Sequence, residues 1–225
     1  MFMLGDKRIT IFSSCRIYAG VTLSTDLSNT AAVKIACDKG RSVFYSLVGT
    51  GIGKDGMNPI NSATIWSKIV LPAMTYGCEL WSNLSQSQVY DLEVCQRKAA
   101  RRIIGLDQRS STYTTISSLG LWSVEGCVDK IKLGFFNKLC RANGSLAWKN
   151  IFKNIFNRRI LDFQIHESES VGFAKNIYRV LLKYQLGGFF HLYVNTLYSV
   201  SKPVRRRNIE TAVHCCEESL WRSKL

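Results

Sequence analysis

Apolar residues recur at helical spacing along most of the chain. Between residues 29 and 47 they return every three or four positions, which predicts a helix there. A second helix is predicted from 61 to 74, with its last turn kinked by Pro72, whose nitrogen carries no hydrogen to donate. The apolar positions of the first helix are Ala32, Ile35, Ala36, Val43, Phe44 and Leu47, and those of the second are Ile65, Trp66, Ile69 and Val70.

The clearest helical pattern follows Ser85. Ser85 and Gln88 have the spacing of a capping box, and Gly105 is a stop signal after Ile104. The 3.6-residue period separates this helix into an apolar face and a basic face. The apolar face holds Leu92, Cys95, Ala99 and Ile103, and the basic face holds Arg97, Lys98, Arg101 and Arg102.

Before residue 25 the pattern differs. Residues 8–12 and 15–24 are rich in β-branched and aromatic side chains, which predicts two short strands. The predicted fold is therefore mainly α, with short N-terminal β-strands followed by a bundle of about eight helices. Three regions follow from this: 1–25 with the strands, 26–142 with the central helices, and 143–225 as a C-terminal helical extension. The remaining helices are predicted at 112–119, 123–141, 145–157, 167–185, 189–200 and 208–222.

The stretch VGTGIGKDGMNP, residues 48–59, resembles a nucleotide-binding loop. Gly51, Gly53 and Gly56 match the dinucleotide fingerprint, and Gly53-Lys54 suggests a phosphate loop. However, a helix precedes the loop, no acid follows about 20 residues later, and Asp55 stands where a phosphate loop has Ser or Thr. The pattern favours a hinge between two helices. The alternative, a nucleotide-binding enzyme, predicts saturable binding of ATP or NAD.

Charge adds a partner class to this picture. Thirty Lys and Arg face 16 Asp and Glu, for a net charge of +14, which is typical of a protein that meets a polyanion. The uncharged stretch 184–201 contains Gln185, Gly187 and His191, so a buried helix is favoured over a membrane span. Lys202 and the arginines Arg205, Arg206 and Arg207 surround Pro203 and are predicted to form a basic linker.

The sequence offers little chemistry for a catalyst. Its eight cysteines include no Cys-x-x-Cys pair, so no metal site is predicted. Two-metal chemistry needs converging carboxylates, yet no two aspartates are adjacent. The first residues carry charge too early for a secretory signal, which predicts an intracellular protein, nuclear or cytoplasmic, with reduced thiols. No catalytic residue is predicted.

The basic face of the helix after Ser85 is the main candidate for binding. An arc of four cations can lie along a phosphate backbone, although an ordinary solvated helix face has the same pattern. Aromatic side chains could add stacking on bases, but at helical spacing they are more often core residues. These aromatic residues are Trp66, Tyr76, Trp81 and Trp122.

Three phrases together resemble a known family. They are CRIYAGVTLSTDLS, IWSKIVLPAMTYGCELW and YDLEVCQRKAARRIIGL, the last followed by SSLGLWSV. In this order they are similar to the region just after the polymerase palm in reverse transcriptases of non-LTR (LINE-type) retrotransposons. The similarity covers residues 15–142, and Ala19 departs from the usual Leu. The matching positions are Leu71, Pro72, Tyr76, Gly77 and Trp81 in the second phrase and Leu92, Glu93, Gln96, Arg97 and Arg101 in the third.

The resemblance implies a helical thumb behind remnant palm-edge strands in residues 1–25. In this family the catalytic aspartates and their Mg²⁺ lie upstream in the palm, and the chain is expected to begin after that point. It would then be inactive alone, hold no cofactor itself, and have the palm and fingers of the same polyprotein as a partner.

The resemblance also implies a ligand, because a thumb of this family holds the template–primer duplex by its backbone. An RNA or RNA–DNA duplex would then contact Arg97, Lys98, Arg101 and Arg102 first, and Arg205, Arg206 and Arg207 second. Neutralising Arg97 and Arg101 should accordingly reduce the salt dependence of binding. The alternatives are a non-catalytic helical protein-interaction module and a decayed element with no activity.

Overall fold

The described part of the chain is mainly helical behind short antiparallel strands, as predicted. A computed structural model describes residues 3–4, 7–8, 15–24, 28–53, 56–81, 83–141, 154, 173–187 and 202–224. The predicted helices 145–157 and 189–200 lie outside these residues, apart from residue 154. The helices are α1 Thr30–Val48, α2 Pro59–Ile65, α3 Leu71–Met74, α4 Gln86–Ile104, α5 Thr112–Ser118, α6 Val124–Arg141, α7 Phe173–Lys183 and α8 Lys202–Arg222.

The N-terminal strands form two small hairpins. Strand β1 Met3–Leu4 pairs with β2 Lys7–Arg8, and β3 Cys15–Tyr18 pairs with β4 Val21–Ser24. The prediction of one strand over 15–24 is therefore wrong, because the chain turns back at Ala19 and Gly20. Both turn residues have positive φ, 48° and 78°, as a two-residue type I′ turn requires. Alanine rarely adopts this conformation, so the turn was hidden in the sequence.

The second predicted helix is present but not uniform. After α2, a π-helical stretch Trp66–Val70 leads into α3 without a break. Pro72 sits in the first turn of α3 and cannot donate a backbone hydrogen bond. The distortion predicted near Pro72 thus takes the form of a wider turn just before it, a common response to a missing helical bond.

The predicted basic linker is wrong, because Lys202 and Arg205–Arg207 form the first turns of α8. Pro203 is the second residue of this helix, a position where the missing N–H costs no intrahelical bond. The helix predicted at 208–222 therefore begins six residues earlier. Pro203 marks a helix start here and not a break.

Three apolar clusters build the core of the described part of the chain, and α6 contributes to two of them. The first cluster joins α1, α2, α4 and α5 around Trp66 and Ile103. The second joins α1, α3, α4 and the start of α6 around Met74 and Leu92. The third joins the end of α6 to α7 and α8 around Phe136 and Ile177. The C-terminal helices are therefore packed on the same α6 that closes the central core.

Helix α1 packs closely on α3 at Gly40. A Cβ at this position would lie 2.8 Å from the Met74 sulfur, so glycine allows the two helices to approach. Gly40 therefore has a packing role. The sequence did not indicate this role, because glycine within a helical pattern signals only low helix propensity. Two apolar predictions are wrong, since Ile35 on α1 is 43% exposed and Ile69, predicted to face inward on the second helix, is 49% exposed.

The capping box of α4 is confirmed and leads to a stability prediction. The Gln88 backbone amide donates to Ser85 Oγ at 3.3 Å, and the Ser85 backbone amide donates to Gln88 Oε1 at 3.0 Å. Ser85→Ala leaves the first of these amides without its acceptor, so we expect the free energy of unfolding to fall by about 0.5–2 kcal/mol. Urea denaturation followed by circular dichroism measures this loss. Ser46→Ala on the exposed side of α1 is the control, and an equal loss in both variants would contradict the capping role.

Candidate nucleic-acid interface

Helix α4 positions the predicted binding residues. Leu92, Cys95, Ala99 and Ile103 are all buried, as predicted for its apolar face. Gly105 ends the helix with φ 79°, and the amides of Gly105 and Leu106 both donate to the Arg101 carbonyl. The opposite face carries what we call the basic surface, which consists of Arg97, Lys98, Arg101 and Arg102.

Two arginines of the basic surface lie over tyrosine rings. The Arg97 guanidinium is 4.6 Å from the ring centroid of Tyr90, two helical turns earlier on α4. The Arg102 guanidinium is 5.8 Å from the ring of Tyr45, near the end of α1. Such contacts restrain a guanidinium and leave its edge free to donate hydrogen bonds. The two side chains are therefore partly preorganised towards solvent.

Arg101 has a structural contact that the sequence did not indicate. Its Nη2 donates to the Ser110 carbonyl at 3.0 Å and to Thr112 Oγ1 at 2.9 Å. These bonds hold the turn between α4 and α5. Arg101 Nε is buried and makes no hydrogen bond in the described part of the chain. Replacing Arg101 would therefore disturb the α4–α5 turn as well as any bound anion. Substitutions of Lys98 and Arg102 test binding more directly, because they do not remove these bonds.

Three described glycines between residues 48 and 59, which we call the glycine loop, and three residues of the basic surface, Lys98, Arg101 and Arg102, line one cleft of about 860 Å³. We call it the glycine cleft. No sequence pattern indicated this arrangement, because α1 and α4 are separated by the α2–α3 segment. Its lining residues are Tyr45, Val48, Gly51, Ile52, Gly53, Gly56, Lys98, Arg101, Arg102, Gly105, Leu106 and Gln108.

The described lining of the glycine cleft carries positive charge. It includes three cations and no carboxylate. Outside the cleft, Lys183 is an example of a cation that carboxylates neutralise. Its Nζ lies 2.7 Å from Glu125 Oε1 and 2.8 Å from Asp129 Oδ2. Within the described ranges, no carboxylate lies at ion-pair distance from Lys98, Arg101 or Arg102. Cations that line a cleft attract anions.

The second predicted group, Arg205–Arg207, does not form one exposed patch. Arg205 is only 4% exposed, so its side chain faces the protein interior and its predicted contact with phosphate does not fit this position. Arg206 and Arg207 are exposed, and Arg206 Nε lies 3.2 Å from Glu210 Oε1 one helical turn later. The regular α8 explains the difference, because successive residues of a helix point about 100° apart.

The predicted stacking aromatics divide between core and surface. Trp66 and Trp81 are buried, so both are core residues, which was the alternative to stacking on bases. Trp122 is half-buried. Tyr76 is exposed, but its hydroxyl donates to the Ala19 carbonyl at 3.2 Å and ties the β3–β4 turn to the chain after α3. The aromatic rings beside cations of the basic surface are instead Tyr45 and Tyr90, which were not predicted.

The residues that carry the family resemblance join separate elements. Glu93 Oε1 accepts from the Val124 amide at 2.6 Å, at the start of α6. Burial raises the pKa of Glu93, while the backbone bonds from residues 124 and 125 oppose the rise. Gln96 Oε1 accepts from Trp66 Nε1 at 3.1 Å, and Gln96 Nε2 donates to the Trp122 carbonyl at 2.7 Å. Glu93 and Gln96, both from the third phrase, therefore connect α4 to Trp66 and to the segment at the start of α6.

A cluster of polar side chains lies where α6 meets α7 and the residue after it, and these side chains form hydrogen bonds with one another. Lys132 Nζ donates to Asn176 Oδ1 at 2.9 Å, and the Tyr184 hydroxyl donates to Asp129 Oδ2 at 3.0 Å. Burial lowers the pKa of Lys132 and raises that of Tyr184, which also lies beside the Asp129 carboxylate. These satisfied contacts hold α6 and α7 together and require no ligand.

No protein-family model, curated protein sequence or solved structure matches the chain. The reverse transcriptase resemblance therefore rests on the three sequence phrases. The described residues include no group of three or more His, Cys, Asp or Glu side chains that could hold a metal ion. No described helix is long and apolar enough to cross a membrane.

Proposed function

We propose that the chain is a thumb-like C-terminal part of a non-LTR retrotransposon reverse transcriptase and binds the backbone of an RNA or RNA–DNA duplex. The observation that carries the binding proposal is the positive charge of Lys98 and Arg102 beside the glycine cleft, for which the described residues offer no ion-pair partner. The three sequence phrases carry the family proposal. No polymerase step is assigned to this chain, because its sequence contains no adjacent aspartates.

Binding by this surface would use charge and not base sequence. Lysine and arginine side chains neutralise phosphates and release condensed counterions, a contribution that every duplex sequence offers equally. Arg97, Lys98 and Arg102 present donors from successive turns of one rigid helix. A helix of this kind can follow a phosphate backbone without entering a groove. The expected interaction is therefore weakly selective among sequences and strongly dependent on salt.

The direct test is binding of a fluorescent RNA–DNA duplex to the full chain at several salt concentrations. We expect log K to fall linearly with log salt, with a slope of about 0.7–0.9 for each phosphate that the protein neutralises. A second duplex of scrambled sequence should bind equally well. Absence of binding, or binding that salt does not weaken, would reject the proposed function.

The β3–β4 hairpin supports a second candidate, a helical module that binds another protein. Tyr18 is 75% exposed, and Leu23 is exposed on the same face of the adjoining strand, whereas Ile17 is 69% exposed on the opposite face. Exposed apolar side chains grouped on one hairpin are typical of an interaction surface. Under the family proposal this surface would contact the palm and fingers of the same polyprotein. A protein partner without any salt-dependent duplex binding would favour the second candidate alone.

A further inference from the structure

Two buried cysteines meet where α1 packs against α4. Cys37 on α1 and Cys95 on α4 are 58 positions apart in the chain, and both belong to the apolar cluster around Met74 and Leu92. The Cys95 sulfur lies 4.0 Å from the Cys37 carbonyl oxygen, and the two thiols are hydrogen-bonded to each other. Because the two sulfur atoms already lie together, a disulfide between them requires little movement of either helix.

A small cavity gives access to one cysteine of this pair. Its volume is about 70 Å³, and it is lined by Cys95 but not by Cys37. Arg41 and Tyr45 also line it, and their side chains are half exposed, so the cavity lies close to solvent. A water molecule occupies about 30 Å³ of the liquid, so the cavity has room for an oxidant as small as hydrogen peroxide. Cys95 is therefore the cysteine that such an oxidant reaches first.

The surroundings of the pair favour ionisation of the same cysteine. The hydrogen bond with Cys37 lowers the pKa of the Cys95 thiol, and burial opposes this shift. Arg41 and Lys98 lower this pKa further, whereas Asp91 raises it. The bond with Cys95 and burial raise the pKa of Cys37, so Cys37 keeps its proton. Since the thiolate is the reactive form of cysteine, Cys95 is the nucleophile of the pair.

Cys78 and Cys127 provide a comparison within the same chain. Burial raises the pKa of each of these thiols to about 12. Neither residue lines the small cavity. Both are therefore expected to stay protonated and to react slowly with peroxide, as cysteines in apolar surroundings do.

We propose that Cys95 is a site of reversible oxidation by hydrogen peroxide and that Cys37 completes the reaction by forming a disulfide between α1 and α4. The Cys95 sulfur attacks one peroxide oxygen, an S–O bond forms and the O–O bond breaks, and the leaving hydroxide takes up the proton that Cys95 released. The Cys37 sulfur then attacks the Cys95 sulfur, the S–O bond breaks, and the oxygen leaves as water with the proton of the Cys37 thiol. The two thiols are oxidised to one disulfide, and one peroxide is reduced to two waters.

The disulfide ties the helix that carries the basic surface to α1. A dithiol reductant restores the two thiols by exchange, so the modification is reversible. This inference goes beyond the proposed function and does not rest on it, because the contact between the two cysteines exists whether or not a duplex binds.

The test is limited oxidation of the reduced full chain by hydrogen peroxide, followed by alkylation of the remaining free thiols and peptide mass spectrometry. We expect a linked pair of peptides containing Cys37 and Cys95 to appear at about tenfold lower peroxide concentration than oxidation of Cys78 or Cys127, because raised pKa values leave those two with little thiolate. The same treatment in concentrated urea removes the contact between α1 and α4 and should abolish this preference.

Three variants separate the roles of the two cysteines. Cys37→Ala should stop the reaction at the sulfenic acid of Cys95, which dimedone labels. Cys95→Ala should leave Cys37 reduced at the same peroxide concentration. Cys215→Ala removes an exposed thiol on α8 and should leave the disulfide between α1 and α4 unchanged.

Several results would overturn the proposal. One is an equal yield of the linked peptides from the folded and the urea-treated chain, and another is oxidation of Cys78 or Cys127 ahead of Cys95. Dimedone labelling of Cys95 in the unchanged chain without a disulfide would remove the role of Cys37. Circular dichroism checks that each alanine variant keeps its helices. If a variant does not fold, the comparison of the unchanged chain with and without urea decides the question.

Discussion

Replacing Lys98 and Arg102 together by glutamine is expected to lower the slope of log K against log salt by about two units, because each lost phosphate contact removes nearly one unit. Both side chains are exposed on α4, and neither is bonded to a described carboxylate, so their removal does not disturb the core. The affinity for every duplex sequence should fall together. Fluorescence anisotropy at four or more salt concentrations measures both quantities.

A control variant must remove the same charge from another place. Lys34 lies on the exposed side of α1 and Arg222 ends α8, and neither lines the glycine cleft. Lys34→Gln combined with Arg222→Gln changes the net charge equally and should leave the slope nearly unchanged. Equal reduction of the slope in both double variants would mean that net charge alone attracts the duplex, and the assignment to the basic surface would be wrong.

Trp66→Ala is expected to lower the free energy of unfolding by about 3–5 kcal/mol, as the largest truncations in a packed core do. Trp66 is 2% exposed, and its ring meets Phe44 edge to face with centroids 5.6 Å apart. The truncation opens a cavity and also leaves Gln96 Oε1 without the indole N–H. Since small domains are stable by only about 5–15 kcal/mol, the variant should be partly unfolded at moderate temperature.

Urea denaturation followed by circular dichroism tests this prediction, with two comparison variants. Trp66→Phe keeps most of the volume but loses the bond to Gln96, so its loss should be smaller. Tyr18→Ala removes an aromatic ring that is 75% exposed on the hairpin and should change the stability very little. If Trp66→Ala and Tyr18→Ala had the same midpoint, Trp66 would not be a central core residue.

Local signals in the sequence predicted the helices of the central region well. The boundaries at α4 follow from a capping box and a terminal glycine, interactions that span only a few residues. The apolar face of α4 follows from periodicity alone. The errors also have local causes: Ala19 occupies a conformation that alanine rarely adopts, and Pro203 begins a helix where a break was predicted.

The candidate site was only half predictable. Periodicity placed Arg97, Lys98, Arg101 and Arg102 on one face of α4, but it cannot distinguish a cation that faces solvent from one that holds a turn. The bonds from Arg101 to Ser110 and Thr112 depend on how the chain returns after Gly105. The placement of Tyr45 over Arg102 depends on the packing of α1 against α4.

The glycine loop illustrates the division between sequence and tertiary structure. The sequence by itself determined that residues 48–59 join two helices and lack the strand and acid of a dinucleotide site, because those requirements are local. It also determined the positive charge and the amphipathic α4. Only the tertiary structure decided that the described glycines of this loop line one cleft with Lys98 and Arg102. The physical reason is that the packing of α1 against α4 arises from contacts between residues far apart in the chain, which no local pattern encodes.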